Sequence, residues 1–148
     1  MKRELLISTL LLFSVSSYAS DTIKEGEVYP IDKMKEQITQ IIKMTVKEVS
    51  KGLPQKVDKY TEITKVRDEN LTLIYTFEIN TGTKSDENVR KEGKARMEKP
   101  VSQGICQSAK RFLDAGVTLS YEYLSKSTQA ELFTFTLNKK KCKELHYD

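Results

Sequence analysis

The spacing of apolar residues along this chain changes from helical to alternating and back, and the changes mark its elements. From Asp32 to Ser50, Met34, Ile38, Ile41, Ile42 and Val49 recur at three- and four-residue steps, with Thr45 in the same series. Lys35, Glu36, Gln37, Lys43 and Lys47 fill the other face, which predicts an amphipathic helix. Gly52 is placed to cap its end, and Pro54 prevents continuation. Alternation then takes over. Thr61, Ile63 and Val66 suggest a first strand, Arg67 to Asn70 a polar turn, and Leu71 to Ile79 a second strand rich in β-branched and aromatic residues. Leu71, Leu73, Tyr75 and Phe77 share one face of it.

Asn80 to Lys84 breaks the sheet, and Ser85 is a predicted N-cap for a charged helix from Asp86 to Glu98. Its apolar content (Val89, Ala95, Met97) is thin, so it should lie on the surface, and Pro100 should end it. A second helix from Ser102 to Asp114 carries Ile105, Cys106, Ala109, Phe112 and Leu113 at helical spacing and stops at Gly116. Val117 to Leu124 and Glu131 to Leu137 alternate again around a polar turn at Ser125 to Gln129, with Phe133, Phe135 and Leu137 facing in.

The expected fold class is therefore α+β: a four-stranded antiparallel sheet made of two hairpins, with helices packed on one face. Leu71 to Phe77 lines up with Val117 to Tyr123, which suggests an internal α-β-β duplication.

The N-terminus reads differently. Lys2 and Arg3, the apolar run Leu5 to Val15 and the small-x-small triplet Ser17-Tyr18-Ala19 form a bacterial-type secretory signal peptide over residues 1–19, cleaved after Ala19. The apolar run is about half of the roughly 20 residues that span a bilayer. No cysteine stands at the cleavage site, and no later segment is apolar enough to cross. The expectation is a single domain over residues 20–148, exported to the periplasm, with no integral membrane anchor. Ser20 to Tyr29 has no clear period and should start the mature chain loosely.

Charge adds little. The net charge is +4, and removing Lys2, Arg3 and Glu4 (a net of +1) leaves +3. The basic excess gathers at Lys139, Lys140, Lys141 and Lys143, with a second lean over Arg90 to Lys99. Aromatics alternate along strands instead of interleaving with the basic residues, so no nucleic-acid partner is expected. Tyr75, Tyr121 and Tyr123 suit core packing first, and a sheet edge or face meeting a partner second. The two cysteines, Cys106 and Cys142, read in an exported protein as one disulfide that ties the second helical region to the sheet edge.

Motifs for catalysis are missing. His146, the one histidine, lies in a lysine-rich tail, so no histidine-based triad is expected. There is no G-x-S-x-G, H-E-x-x-H, phosphate-binding loop or dinucleotide pattern. Asp58, Glu62, Glu78, Glu122 and Glu131 fall where strands place solvent-facing polar groups, although Glu62 and Glu78 are spaced to meet across a hairpin. Asp68-Glu69-Asn70 lacks calcium-loop spacing. The expectation is no catalytic residue, no cofactor and no metal.

One resemblance sharpens this. Leu53-Pro54, Val57-Asp58 and Thr61, a tyrosine-bearing strand, Cys106, Gly116-Val117, a second tyrosine strand and a final Cys142 form a layout similar to small single-disulfide periplasmic proteins of bacteria. These include envelope accessory factors and bacteriocin immunity proteins of the pesticin type. The resemblance implies a soluble periplasmic binding protein whose partner is a protein, either a toxin or an envelope component. The foremost expectation is an immunity protein or inhibitor of a cell-wall-acting toxin. The alternative is an accessory or chaperone-like factor of envelope secretion or pilus assembly. The helix at Asp86 to Glu98 and the hairpin turns are the expected contact elements.

Overall fold

The computed structural model describes residues 30–147. The signal peptide over residues 1–19 and the segment from Ser20 to Tyr29 lie outside the described residues. Helix α1 (Ile31–Ser50) leads into a short strand β1 (Gln55–Lys56) through a cis Leu53–Pro54 peptide. Strands β2 (Thr61–Glu69) and β3 (Thr72–Ile79) follow, then α2 (Asp86–Asn88), a π-helical turn (Val89–Gly93), α3 (Lys94–Ser108) and α4 (Lys110–Asp114). The chain closes with β4 (Thr118–Ser125), β5 (Glu131–Leu137) and α5 (Lys139–Glu144).

The sheet has five strands in the order β1-β2-β3-β4-β5, and β3 and β4 run parallel. This corrects the expected four-stranded antiparallel sheet. The two hairpins are present, but a helical crossover joins them, and such a connection returns the chain in the same direction. The sequence echo has a spatial meaning. Leu73 pairs with Leu119, Tyr75 with Tyr121 and Phe77 with Tyr123, so the alignment of the two segments is the register of the parallel pair. Strand β1, only two residues long, has no period to read.

Other local expectations shift as well. β2 continues to Glu69, and the turn tightens to Asn70-Leu71, with Asn70 in the left-handed region at φ 53°. Lys51, in right-handed helical conformation, caps α1 in place of Gly52. Pro100 lies inside α3 instead of ending a helix. It has no N–H for the Arg96 carbonyl, yet the helix runs on because Ser102, Ile105 and Cys106 are buried just beyond it. Ser85 does cap α2, its Oγ accepting from the Asn88 N–H at 3.3 Å. Gly116, at φ 90°, ends α4, and the Val117 N–H returns to the Phe112 carbonyl at 3.0 Å.

All helices pack on one face of the sheet. At one end, Ile38 and Ile42 of α1, Ile105 of α3, Leu113 of α4 and Cys142 of α5 cover Val66, Leu73, Leu119 and Leu137. At the other end, Phe77, Tyr123, Phe133 and Phe135 form an aromatic cluster against Val89 and Met97. A bulge between Ile63 and Lys65 keeps Ile63 and Val66 on this same face. Cys106 and Cys142 are bonded, their Cα atoms 5.7 Å apart, and the bond ties α5 to α3.

The face turned away from the helices mixes polar side chains such as Arg67, Thr76, Ser120 and Glu122 with the apolar Ile74 and Leu124. Arg67 makes a two-pronged contact with Glu122, Nη1 donating to Oε2 at 2.9 Å and Nη2 to Oε1 at 2.8 Å. These hydrogen bonds hold the Glu122 carboxyl below the usual range, with the Arg67 charge adding to the effect against partial desolvation. A carboxylate whose folded pKa is depressed adds stability above its unfolded pKa and loses that contribution as pH falls through the folded value. Glu122→Gln is therefore expected to cost about 1 kcal/mol at neutral pH. The gap to the unsubstituted protein should narrow as the pH drops below 4.5, the ordinary value for this group. Urea unfolding from pH 7 to pH 3 checks this, and a gap that stays constant would show that the pair contributes nothing electrostatic.

Candidate functional site

The carboxylates singled out in the sequence are each taken up by structure. The Asp58 side chain accepts from the Tyr60 and Thr61 N–H groups at 2.7 and 2.9 Å, folding the loop before β2. Glu62 and Glu78 do pair across β2 and β3. Lys126 bonds Glu62, and Gln129 donates to Glu78 at 3.3 Å, so the two like charges are separately partnered. Glu131 accepts from the Thr134 hydroxyl at 3.0 Å, and Glu122 is held by Arg67. Of these carboxylates, Asp58 lines the groove described next. No group of acidic, histidine or cysteine side chains among the described residues is arranged to hold a metal ion. His146 sits on the surface just after α5 with φ 57°.

What the fold does build is a groove of about 710 Å³ on the helix-covered side, at the end of the sheet where β2 begins and β3 finishes. Asp58, Tyr60 and Thr61 form one wall. The loop from Ile79 to Lys84 closes the end. Val89, Glu92, Gly93, Arg96 and Met97 form the facing wall, and Phe133 reaches in from β5. The first wall is tied to the closing loop, because the Asn80 N–H donates to the Tyr60 carbonyl at 2.8 Å. Asn80 Oδ1 in turn accepts from the Gly82 N–H at 3.1 Å, with Gly82 at φ 60° turning the loop back.

The π-helical turn shapes the far wall. Such turns insert one extra residue into a helix and recur at functional sites. Here the turn ends at Gly93, which is buried against the Phe133 ring. A Cβ at residue 93 would stand 3.1 Å from Phe133 Cε1, too close for a β-branched side chain. Gly93→Val is expected to push this ring into the groove and to cost about 1–3 kcal/mol through overpacking. A melting temperature equal to that of the unsubstituted protein would refute the close fit.

The groove combines apolar surface with a charged rim. Tyr60, Ile79, Val89, Met97 and Phe133 supply the apolar part. Tyr60 is 57% exposed, and Lys59 places its ammonium 5.3 Å from that ring. Lys84 and Glu92 pair across the rim at 3.7 Å. Beneath lies the aromatic ladder, with Phe77 and Tyr123 stacked at 4.7 Å between ring centres and Tyr75 edge-on to Tyr121 at 5.4 Å. Burial pushes all three tyrosine hydroxyls up, and the Asp58 charge adds to the effect at Tyr123. These three rings lie under the groove and not in its lining, and they stay neutral at physiological pH as part of its floor support.

The helix expected at Asp86 to Glu98 supplies this wall, so that contact element does line the groove. The β3–α2 loop lines the groove as well. The sequence reading missed Tyr60, Ile79 and Phe133 as groove residues. An exposed tyrosine next to a strand start was the one local signal available.

Three solved structures are similar in fold. A candidate secreted protein of Pseudomonas aeruginosa (PA3611), whose crystal structure was determined at 1.60 Å, superposes with a TM-score of 0.64 at 16% identity, covering 74% of this chain and 96% of that one. The pilotin EpsS of the Vibrio vulnificus type 2 secretion system gives 0.55 at 13% identity, covering 75% and 96%. The pilotin AspS of the Vibrio cholerae type II secretion system gives 0.54 at 10% identity, covering 76% and 98%. At these identities the likeness is one of fold. No curated protein matches the chain in sequence. Residues 36–133 match the model of a family described as a domain of unknown function, DUF8479.

Proposed function

The chain belongs to the DUF8479 family, and from that premise we propose that it is a binding protein of the bacterial envelope that serves a secretion system as an accessory factor. The observation that carries this reading is coverage: 96% of one type II pilotin and 98% of another superpose on this chain. The groove supports it. An apolar trough with a charged rim fits the amphipathic segment of a protein partner, with the trough taking the apolar side chains and the rim setting orientation. A scaffold held by a disulfide loses little conformational freedom on binding.

This reading places the protein in the periplasm after cleavage behind Ala19, acting by binding and not by catalysis. No helix of the described residues is long and apolar enough to cross a membrane. It also favours the secretion alternative over the immunity-protein expectation, since none of the three similar structures is described as an immunity protein.

Deleting the gene in the producing bacterium and measuring the export of a type II substrate into the medium tests the proposal. Export should fall, recover with the unsubstituted protein, and fail to recover with Met97→Glu, which places a charge in the groove. Unchanged export, with the deletion strain newly sensitive to a wall-degrading toxin, would overturn the proposal in favour of the immunity reading.

A further inference from the structure

The groove opens at one end of the strands, beside the basic lean over Arg90 to Lys99; the stronger of the two basic concentrations lies at the other end. Helix α4 precedes the first residues of β4 and α5 follows the last residue of β5, so both lie where Leu119 pairs with Leu137. Between them they carry Lys110, Arg111, Lys139, Lys140, Lys141 and Lys143, all exposed. Only two carboxylates stand among these six cations, Asp114 and Glu144. Asp148, the residue that ends the sequence, lies outside the described residues.

The cluster is held in place by the fold. The disulfide fixes α5 to α3, and Lys139 reaches Asp114 of α4 at 2.9 Å. Lys110 approaches the same carboxylate at 3.9 Å, and the Lys139 hydrogen bond, with help from the neighbouring cations, holds the Asp114 carboxyl below its ordinary value. Lys140 and Lys141 lie 3.9 Å from Glu144. Lys140 remains 86% exposed, and Lys143 adds its charge to the field around Asp114. The surface between them is shallow, with a dimple of about 30 Å³ over the disulfide, too small to seat a side chain.

We propose that this basic end docks on an anionic lipid surface and so holds the groove facing away from the membrane. A broad, shallow field of flexible lysines fits a flat array of phosphate headgroups better than one shaped protein partner. The strands set the geometry: seven residues of β5 separate the two ends, roughly 20 Å of extended chain. Docked by its basic end, the protein presents the groove beyond the headgroups, free to meet a partner. This inference does not depend on which partner the groove takes.

Co-sedimentation of the oxidised exported chain with lipid vesicles tests it. Vesicles of equal parts phosphatidylcholine and phosphatidylglycerol should carry the protein down at low salt, and vesicles of phosphatidylcholine alone should not. Salt near 1 M, where screening acts within about 3 Å, should release it. Each lysine neutralised should weaken partitioning about fivefold, so Lys140→Gln/Lys141→Gln/Lys143→Gln together should weaken it about a hundredfold. The control Lys33→Gln/Lys43→Gln/Lys47→Gln on α1 should bind as before. Failure to bind anionic vesicles at low salt would overturn the proposal, as would equal losses in both triple variants. It would also fall if the α5 variant kept its vesicle binding but lost a protein partner.

Discussion

The double variant Cys106→Ser/Cys142→Ser is expected to unfold with about 4 kcal/mol less free energy than the oxidised protein. The bond closes a loop with a sequence separation of 36, and the open chain regains the conformational freedom that the loop withheld. Both cysteines are buried in the main core cluster, so serine also brings two hydroxyls into apolar surroundings. Domains of this size have total stabilities of about 5–15 kcal/mol, so the loss is a large fraction of what holds the fold. The damage should be local first. α5 is short and basic, and its other ties are the Lys139–Asp114 pair and the packing of Leu145 and Tyr147. Urea unfolding of the variant, beside the parent with and without reductant, measures the effect. Hydrogen exchange should show α5 opening before the sheet. A loss below about 1 kcal/mol would mean that the reduced chain already holds these segments together in the unfolded state.

Ile42→Ala should cost about 3 kcal/mol, and Ile41→Ala less than about 0.5 kcal/mol, although the two residues are neighbours of the same type. Ile42 is 0% exposed and packs in the cluster with Val66 and Leu73, whereas Ile41 is 52% exposed on the flank of α1. Truncating Ile42 removes buried methylenes and leaves a cavity between helix and sheet that neighbours fill only in part. α1 depends on this contact more than α3 does, because α3 is also held by the disulfide. Thermal and denaturant unfolding of the two variants side by side decides the matter. Equal losses would show that the exposed flank of α1 is covered in solution. Equal indifference would show that α1 is not packed as described.

Expectation and structure part company in particular places. The helix expected over Asp32–Ser50 is found as Ile31–Ser50, and the strands around Tyr75, Tyr121 and Phe135 are where alternation put them. Those signals are short-range, resting on period, on the Ser85 cap and on the stop at Gly116. Pro100 misled for the opposite reason. Its local cost is real, but the burial of Ile105 and Cys106 one turn further on outweighs it. The charged helix was legible as a helix, yet nothing in Val89 to Gly93 announces a π-helical turn. That turn depends on Gly93 meeting Phe133, 40 residues away in sequence, across the aromatic cluster.

The amino-acid order alone determined the elements: one amphipathic helix, two hairpins, a helical stretch between them and a pair of cysteines able to close across it. These follow from preferences that act within a few residues. Tertiary structure decided how they meet. The crossover made β3 and β4 parallel and turned the sequence echo into their register. The same arrangement set the groove at one end of the strands and brought α4 and α5 together at the other. Strand partners, and the surfaces between packed elements, depend on which apolar faces are buried together, and no local stretch of sequence carries that information.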